Sequence, residues 1–386
     1  MRQLFNLKSL PISNKTSYLG SYPLQTTNYK LFPCSILVQI LIFKVLNSQM
    51  KMRKSILLGC TLLLAVMVKA QDPHFSQFFA SPLTLNPAFT GKFEGLWRLA
   101  ANHRDQWPSI PKAYVTTSAS VDFPILKSRV PEGDVFGVGL SGVSDASANN
   151  ILKLNYGSLS MSYHKALDED GYSTIGAGFQ ATYSSLVLDV NKLTFADELT
   201  QNGFVPGTSS DRNFANGNNQ SYFDMNAGIL YSGSTNGRNN FYVGSSMYHI
   251  NRPKVSFKDN TWALTGRITV HAGGSFPVSE MLTVHTSVIH QIQNKASETT
   301  VGAAVAANLN QEADNPAAVY LGGWMRFNDA IIPYIGLEFG GLRIGASYDL
   351  NISNLKAATA SRGGSEISVI YIKKPVEVKG IPCPKF

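Results

Sequence analysis

The chain has 386 residues, with 33 lysines and arginines against 25 aspartates and glutamates, and its net charge of +8 first suggests a nucleic-acid partner. The excess lies entirely in residues 1–70, which hold nine basic and no acidic residues, so residues 71–386 have a net charge of −1 and exclude that class. Of the three cysteines, Cys34, Cys60 and Cys383, one lies in this main part, which excludes an internal disulfide framework there.

Residues 50–70 are predicted to be a secretory signal peptide. Arg53 and Lys54 form a positive start, an apolar stretch covers residues 56–68, and Ala70 supplies a small residue before the expected cleavage at Gln71. The apolar stretch is shorter than the roughly 20 residues of a membrane-spanning helix. A signal peptide does not normally follow a long leader, so we interpret residues 1–49 as a spurious N-terminal extension of the gene.

Two alternatives to this interpretation of the first seventy residues stay open. The sequence Leu57-Leu-Gly-Cys60 resembles a lipid-attachment box, although cleavage there would leave almost no apolar stretch before the cysteine. The apolar residues 35–46 could instead belong to a genuine inner-membrane anchor.

From residue 94 to residue 373 the chain alternates large apolar residues with small or polar ones, in long runs separated by Gly, Asn and Asp. A period of two predicts β-strands, and no window shows the sustained 3.6-residue apolar period of a helix. Fourteen strands are predicted, over residues 96–102, 113–123, 135–143, 152–164, 172–188, 222–231, 241–250, 264–276, 282–292, 299–309, 319–327, 331–339, 342–350 and 366–372.

We expect these strands to form an all-β, transmembrane antiparallel β-barrel in the cell outer membrane. A tilted strand crosses a bilayer in about 9–11 residues, and bacterial barrels have even strand numbers. The face opposite the large residues carries Gly, Ser, Ala and Thr rather than charges, as in residues 176–185, which is typical of a barrel interior. Tyr and Phe near the strand ends suit the interfacial girdles. A soluble all-β protein is the alternative.

The lengths of the connections predict the orientation of the barrel. If the N-terminus is periplasmic, the long segments 189–220, 251–261 and 351–363 face outward, and the short segments 166–171, 276–280 and 340–341 face the periplasm. The short outward connection at Asn328-Asp329 is the exception.

The sequence lacks the patterns typical of catalytic and metal-binding sites, so we predict no enzyme activity, no metal and no cofactor. His285 and His290 are five residues apart, which places them on opposite faces of a strand. His103 and Asp105 could belong to a surface hydrolase, but no serine partner is indicated. Gly139-Leu-Ser-Gly142 falls short of a nucleophile elbow and lies within a predicted strand.

The segment from Gln71 to Gly91 and the following Asn102-His-Arg-Asp-Gln-Trp107 strongly resemble the mature N-terminus of the PorP/SprF family of the Bacteroidetes type IX secretion and gliding machinery. Ser347-Tyr-Asp-Leu350, Gly363-Gly-Ser-Glu-Ile-Ser368 and the last four residues resemble its C-terminus. The matching positions near the N-terminus, whose roles are unknown, are Gln77, Ser81, Pro82, Asn86, Pro87, Ala88, Gly91, Arg104, Gln106 and Trp107.

The resemblance implies a type IX secretion component that supports the secretion and surface attachment of cargo, such as a gliding adhesin, by protein binding. The implied partners are the C-terminal domain of the cargo, other type IX components, peptidoglycan-associated periplasmic proteins and outer-membrane lipid. The alternative is a passive outer-membrane channel or hydrophobic-solute transporter, which would conduct steadily in a planar bilayer where a binding protein would be silent.

The expected organisation is an N-terminal periplasmic or plug-like segment over residues 71–93, a barrel over 94–373 and a periplasmic tail over 374–386 that carries Cys383. The apolar side chains of the N-terminal segment need burial, so we expect it to pack against or inside the barrel mouth and seal it. A docking surface for a periplasmic partner is the alternative. Arg104 is expected just after the first strand, where it would pair with a carboxylate of the lumen or of a loop.

Overall fold

The computed structural model describes residues 72–110, 113–201, 203–209, 219–257, 260–310 and 317–375, and their eighteen strands are numbered in chain order. The predicted extension 1–49, the signal peptide 50–70 and Cys383 lie outside the described residues. The strands are β1 Trp97–Gln106, β2 Tyr114–Ile125, β3 Val135–Ser147, β4 Leu152–Ala166, β5 Thr174–Leu188, β6 Leu199–Thr200, β7 Gly203–Phe204, β8 Asn219–Ser234, β9 Asn240–Tyr248, β10 Lys254–Phe257, β11 Asn260–Ala263, β12 Arg267–Pro277, β13 Leu282–Gln293, β14 Ala296–Asn308, β15 Ala317–Arg326, β16 Ala330–Phe339, β17 Leu342–Asn351 and β18 Arg362–Lys373.

Fourteen of these strands close into one antiparallel barrel, which confirms the predicted fold class and strand number. Each strand pairs with its neighbours in chain order, and β1 closes the barrel against β18, with Trp97 opposite Lys373 and Gln106 opposite Gly364. We call the end that carries Trp97 and Lys373 the terminal rim and the opposite end the loop rim. The loop rim carries the longer connections 189–218 and 249–266, and the terminal rim carries turns such as 340–341.

Side-chain alternation sets the two faces of the wall. Along β4, Leu159 is 52% exposed while the next residue, Ser160, is 1% exposed. The outward face is apolar, with residues such as Phe179 and Ile229, so it suits lipid. The inward face is mostly Ser, Thr, Asn, Gln and charged residues.

The prediction that small and polar side chains line the interior is wrong for one side of the barrel. Strands β13 to β16 direct aromatic and aliphatic side chains inward, and these form an apolar cluster with residues of the N-terminal segment. Its members are Phe78, Leu85, Ile289, Ala304, Ala306, Ala318, Tyr320, Trp324, Ala330, Ile332 and Tyr334, with Phe79 and Phe89 packed against them.

Three local features differ from the sequence-based expectations. The connection expected to be a loop over residues 251–261 contains a hairpin of β10 and β11 that does not join the barrel. The predicted eighth strand begins at Arg267 rather than at residue 264. The N-terminal segment contains the short helix Pro82–Leu85 and the 3-10 turns Phe78–Ala80 and Pro87–Phe89.

No helix among the described residues is long and apolar enough to cross a membrane.

Residues 72–93, which we call the lumen segment, pack directly on the inner wall at a glycine. A Cβ atom added to Gly178 of β5 would lie 2.3 Å from the backbone nitrogen of Ala88 and 2.4 Å from the carbonyl carbon of Pro87. Real Cβ atoms do not approach backbone so closely, so glycine at this position sets the distance between segment and wall.

Gly178→Ala should displace the lumen segment, because overpacking against backbone costs about 1–3 kcal/mol. Hydrogen exchange and protease cleavage within residues 82–91 should increase while the barrel stays folded. The matched control is Gly157→Ala, whose Cβ would have no neighbour within 4 Å. Equal exchange in the two variants would contradict the close contact.

Candidate functional site

The candidate site is the barrel interior, which the lumen segment crosses from one rim to the other. At the loop rim, Asp72 exchanges hydrogen bonds with Gln293, the last residue of β13. At the terminal rim, Lys92 donates to the hydroxyl of Thr174, the first residue of β5, at 2.9 Å. The chain then turns back into β1, so the segment lies inside the wall that follows it.

Glu366 of β18 fixes the segment near the loop rim. Its two carboxylate oxygens accept the backbone N–H groups of Ser76 and Gln77 at 2.7 and 2.9 Å. The side-chain amide of Gln77 donates to Ser347 and to the Glu366 carbonyl, and its oxygen accepts from Ser368 at 2.6 Å. Gln77 is 1% exposed, and both polar side-chain atoms of this motif residue, together with its backbone N–H, hold the segment to β17 and β18.

Asp349 of β17 lies between two guanidinium groups. Its Oδ2 is 2.8 Å from Nη2 of Arg104 and 3.0 Å from Nη1 of Arg326, and it also accepts from the Ser76 hydroxyl. Arg104 additionally donates to the backbone carbonyl of His74, and Arg326 donates to the Ser76 hydroxyl. This ion-paired group therefore includes both the wall and the lumen segment. We call Arg104, Arg326 and Asp349 the central ion cluster.

The central ion cluster continues toward the loop rim through Arg326. Its guanidinium is 3.0 Å from Asp329 and 3.5 Å from Glu298, and Glu298 is in turn 3.1 Å from Nε2 of His74. A buried charge is costly unless a charge of opposite sign lies beside it. Here the wall carboxylates and the guanidinium groups neutralise each other.

A second ion cluster holds the first described residue of the segment. His249 lies 2.9 Å from Asp72 through Nε2 and 2.8 Å from Asp224 through Nδ1, and Arg267 is 3.5 Å from Asp72. Burial alone would lower the pKa of His249, but its hydrogen bonds to the two carboxylates outweigh burial and raise it to about 9. Burial alone would raise the pKa of Asp72, but His249, Arg267 and Gln293 hold it well below its usual range.

Asn86 binds the wall in the middle of the lumen. Its side-chain nitrogen donates to the carbonyls of Ile229 and Ser245 at 3.0 and 3.2 Å, and its oxygen accepts the backbone N–H of Ala88. Two strand carbonyls and one turn N–H are thus satisfied by one fully buried amide.

The remaining motif residues of the segment shape its backbone. Pro82 and Pro87 begin the two short helical turns, where a missing N–H costs nothing. Ser81 bonds to Ser118 of β2 at 3.1 Å, and the Ala88 carbonyl accepts from His164 of β4 at 2.7 Å.

Gly91 ends the segment with a left-handed turn at φ +69°. Its N–H donates to Asp122 of β2 at 2.7 Å, and Asp122 is paired with Arg98 at 2.8 Å. Arg98 also donates to the Phe89 carbonyl, so the exit from the lumen into β1 is fixed by a buried ion pair.

The structure therefore brings eight of the ten predicted site residues together in the lumen and leaves two at the loop rim. Gln106 ends β1, and Trp107 follows it with a positive φ of 55° and its ring against Tyr114. Arg104 lies inside β1 rather than after it, and the lumen carboxylate that it pairs with is Asp349.

Sequence reasoning missed the wall partners of the lumen segment, namely Asp349, Glu366, Arg326 and His249. Asp349 and Glu366 stand within the two C-terminal motifs, and both fall on lumen-facing positions of strands. A charged residue on the interior face of an otherwise small and polar strand was the signal that could have found them.

Two spaces lie on either side of the lumen segment. The loop-rim vestibule has a volume of about 920 Å³ and a floor that includes Asp72, His74 and Arg326. The terminal-rim cavity has a volume of about 670 Å³ and is bounded by Phe79, Phe89 and Lys92. Among the described residues, no group of three or more His, Cys, Asp or Glu side chains is arranged to hold a metal ion.

A profile of the family described as type IX secretion system membrane protein PorP/SprF matches residues 67–371. No curated protein matches the sequence.

Several solved structures share the barrel architecture at low similarity. The toluene transporter TbuX of Ralstonia pickettii is 10% identical with a TM-score of 0.42, over 76% of this chain and 94% of that one. The monoaromatic hydrocarbon channel CymD is 13% identical with a TM-score of 0.45, over 77% and 93%. The toluene transporter TodX of Pseudomonas putida is 10% identical with a TM-score of 0.44, over 78% and 93%.

Arg104→Met should destabilise the protein by roughly 3–5 kcal/mol, because it leaves Asp349 and Glu366 buried with less compensating charge. The loss should appear as a lower denaturant midpoint in detergent and as release of residues 74–77 in hydrogen exchange. Arg238→Met is the control, since Arg238 lies exposed in the turn between β8 and β9. A midpoint shift no larger than that of the control would contradict the role of the cluster.

The stability contributed by His249 should depend on pH. A raised folded-state pKa gives stabilisation that is fully present below about pH 6.5 and is lost as the pH rises through about 9, up to roughly 3 kcal/mol. Denaturant midpoints measured between pH 6 and 10 should fall more steeply for the unsubstituted protein than for His249→Gln. Parallel profiles would show that the imidazole is not charged in the folded state.

Proposed function

The chain belongs to the PorP/SprF family of type IX secretion system membrane proteins, and on that premise we propose that it supports the secretion and surface attachment of cargo by binding protein partners at its rims. The family resemblance of the N-terminal motif and of residues 347–368 is thereby confirmed, and the last four residues lie outside the matched range. A closed barrel with an apolar outer face, in a membrane-protein family of this secretion system, belongs in the outer membrane.

The observation that carries the proposal is the occupied lumen. The lumen segment occupies the interior through the ion pair of Asp72 with His249, through an apolar cluster, and through hydrogen bonds of the motif residues Gln77 and Asn86 to the wall. A folded or extended cargo chain would have to replace these contacts in order to pass. Binding at the rims requires no such exchange, and in this proposal the protein acts without catalysis.

The loop rim is assigned to the cell exterior, because outer-membrane barrels have short periplasmic turns and longer external loops. Its longest connection, residues 189–218, is organised in its described part. Val190 is 4% exposed, and Glu198 is fully buried, with its carboxylate accepting the N–H groups of Phe195 and Gly207. An ordered loop of this kind suits the C-terminal domain of a secreted cargo, such as a gliding adhesin.

The terminal rim is assigned to the periplasm. Its turns 167–173, 235–239 and 278–281 are short, and both ends of the barrel leave there. We place contacts with other type IX components and with peptidoglycan-associated proteins on these turns and on the tail after residue 375, which lies outside the described residues.

A passive channel or hydrophobic-solute transporter is the rival function. It needs a continuous path through the lumen, whereas the lumen segment separates the loop-rim vestibule from the terminal-rim cavity. The segment would have to move for such transport, which would break the ion pair of Asp72 with His249 and the hydrogen bond from Arg104 to the His74 carbonyl.

Replacement of residues 191–217 by a short Gly-Ser linker should release cargo from the cell surface into the medium. Loss of a surface that carries binding hot spots costs 2 kcal/mol or more, so retention should fall by at least about tenfold. Cargo retention is measured by surface labelling and by pull-down of the barrel from its host. The barrel should remain in the outer membrane, because β5 and β8 are left intact.

The control variant replaces the turn 235–239 at the terminal rim with a Gly-Ser sequence of equal length, which should leave cargo retention unchanged. Unchanged retention after the loop replacement would remove the loop as the cargo site. Loss of retention in both variants would show that cargo binding is not confined to the loop rim.

A further inference from the structure

The terminal-rim cavity combines an apolar wall with Lys92, a cation that makes no ion pair in the part of the chain that the structure describes, although the carboxylate of Glu94 also lines the cavity. Its volume of about 670 Å³ is within the range of about 300–1,000 Å³ of small-molecule sites. It opens at the terminal rim, between the turns that carry Gly133, Tyr172 and Gly237.

Three rings form the inner wall of the cavity. Phe79 of the lumen segment stacks on Trp324 of β15 at 4.9 Å between centroids and meets Tyr334 of β16 edge-on at 5.5 Å. Trp324 and Tyr334 are also in edge contact, at 5.4 Å. The indole N–H of Trp324 donates to Ser287, so the polar edge of this ring is satisfied, and all three rings line the cavity.

Lys92 lies at the mouth of the same cavity. Its ammonium donates to the Thr174 hydroxyl at 2.9 Å, and no ion pair joins it to a carboxylate of the described residues. Burial lowers the pKa of Lys92, and the nearby charge of Glu94 opposes this effect only in part. An anion that binds to such an ammonium stabilises its charged form, because a charge-assisted hydrogen bond compensates for the hydration that the ammonium has lost.

Another basic side chain of the cavity, Arg343, is already neutralised. Arg343 is 2.6 Å from Glu338, donates to the Tyr320 hydroxyl at 2.7 Å and lies over the Tyr320 ring. Its charge is paired with Glu338, and its Nε and Nη2 groups already have hydrogen-bond partners. Of the described lysines and arginines that line the cavity, only Lys92 has no ion pair. The end available to an anion is therefore at Lys92, beside Glu94, and the aromatic end is at Phe79.

We propose that the terminal-rim cavity binds an amphipathic monoanion, with its apolar chain against Phe79, Trp324 and Tyr334 and its anionic group on the Lys92 ammonium. A free fatty acid and the acyl chain and phosphate of a membrane phospholipid share this chemistry. The site is separate from the loop that the cargo proposal uses. It would couple the position of the lumen segment to a lipid, because both Phe79 and Lys92 belong to that segment.

The test uses Trp324 as the reporter. Trp97, Trp107 and Trp262 are replaced by Phe, and the full barrel is reconstituted in lipid nanodiscs, with heat-modifiable gel mobility as the check of folding. Added 9,10-dibromostearic acid should quench Trp324 saturably, and its methyl ester should bind at least about tenfold more weakly, as expected when one charged hydrogen bond is removed.

Lys92→Met should weaken binding of the acid to the level of the ester. Lys165→Met is the matched control, since Lys165 is an exposed lysine near the same rim on the outer face of β4, and it should leave binding unchanged. Bromine in the bilayer could quench through the wall, so only the component that Lys92→Met removes counts as binding in the cavity.

The second arm uses nanodiscs made with dibromo-phospholipid and no free acid, and Lys92-dependent quenching there would identify the phospholipid as the source.

Quenching that does not depend on Lys92 in either arm would overturn the proposal, as would equal binding of acid and ester. If the Trp-depleted protein does not fold, equilibrium binding of radiolabelled stearate to the unsubstituted protein, in excess over empty nanodiscs, replaces the fluorescence measurement. No excess binding there would overturn the proposal equally.

Discussion

The pairing of Asp349 with Arg104 and Arg326 inside the barrel is the constraint on which the rest of the structure depends. A carboxylate and two guanidinium groups within 3.0 Å, each nearly inaccessible to water, are stable only when their opposite charges are paired. The lumen segment supplies further partners of these groups, through the Ser76 hydroxyl and the His74 carbonyl. An empty barrel would leave these charged groups short of partners, so wall and segment form one structure.

The two sides of the lumen hold the segment in different ways. On the side of β17, β18 and β1 the contacts are ionic and hydrogen-bonded, through Glu366 and the central ion cluster. On the side of β13 to β16 they are apolar, through Phe78, Phe79 and Trp324. Directional polar contacts fix the register of the segment, while the non-directional apolar contacts supply burial. The occupied lumen leaves the rims as the surfaces on which a secretion component can meet its partners.

Much of the fold followed from local pattern, and much of the site did not. A period of two over long runs located all fourteen barrel strands, because each strand faces lipid on one side whatever its neighbours are. The same pattern could not show the hairpin of β10 and β11. This hairpin is not part of the barrel sheet, so no lipid-facing side imposes a period of two on its sequence. The motif residues Gln77 and Asn86 were identified from the sequence. Their partners Glu366, Ile229 and Ser245 were not, because they lie far along the chain and local residue spacing cannot predict such distant contacts.

The sequence by itself determined the all-β class, the number of strands, the family and the near-neutral charge of residues 71–386, since each is set by composition, short motifs or a period of two. Tertiary structure alone decided that Arg104 pairs with Asp349, that His249 is held between Asp72 and Asp224, and that an aromatic cavity lies beneath the lumen segment. Closure of β1 against β18 brings the two ends of the chain together, and only this closure places the N-terminal motif against the C-terminal one. Burial then makes each of these distant pairings obligatory, because a buried charge without its partner is too costly to keep.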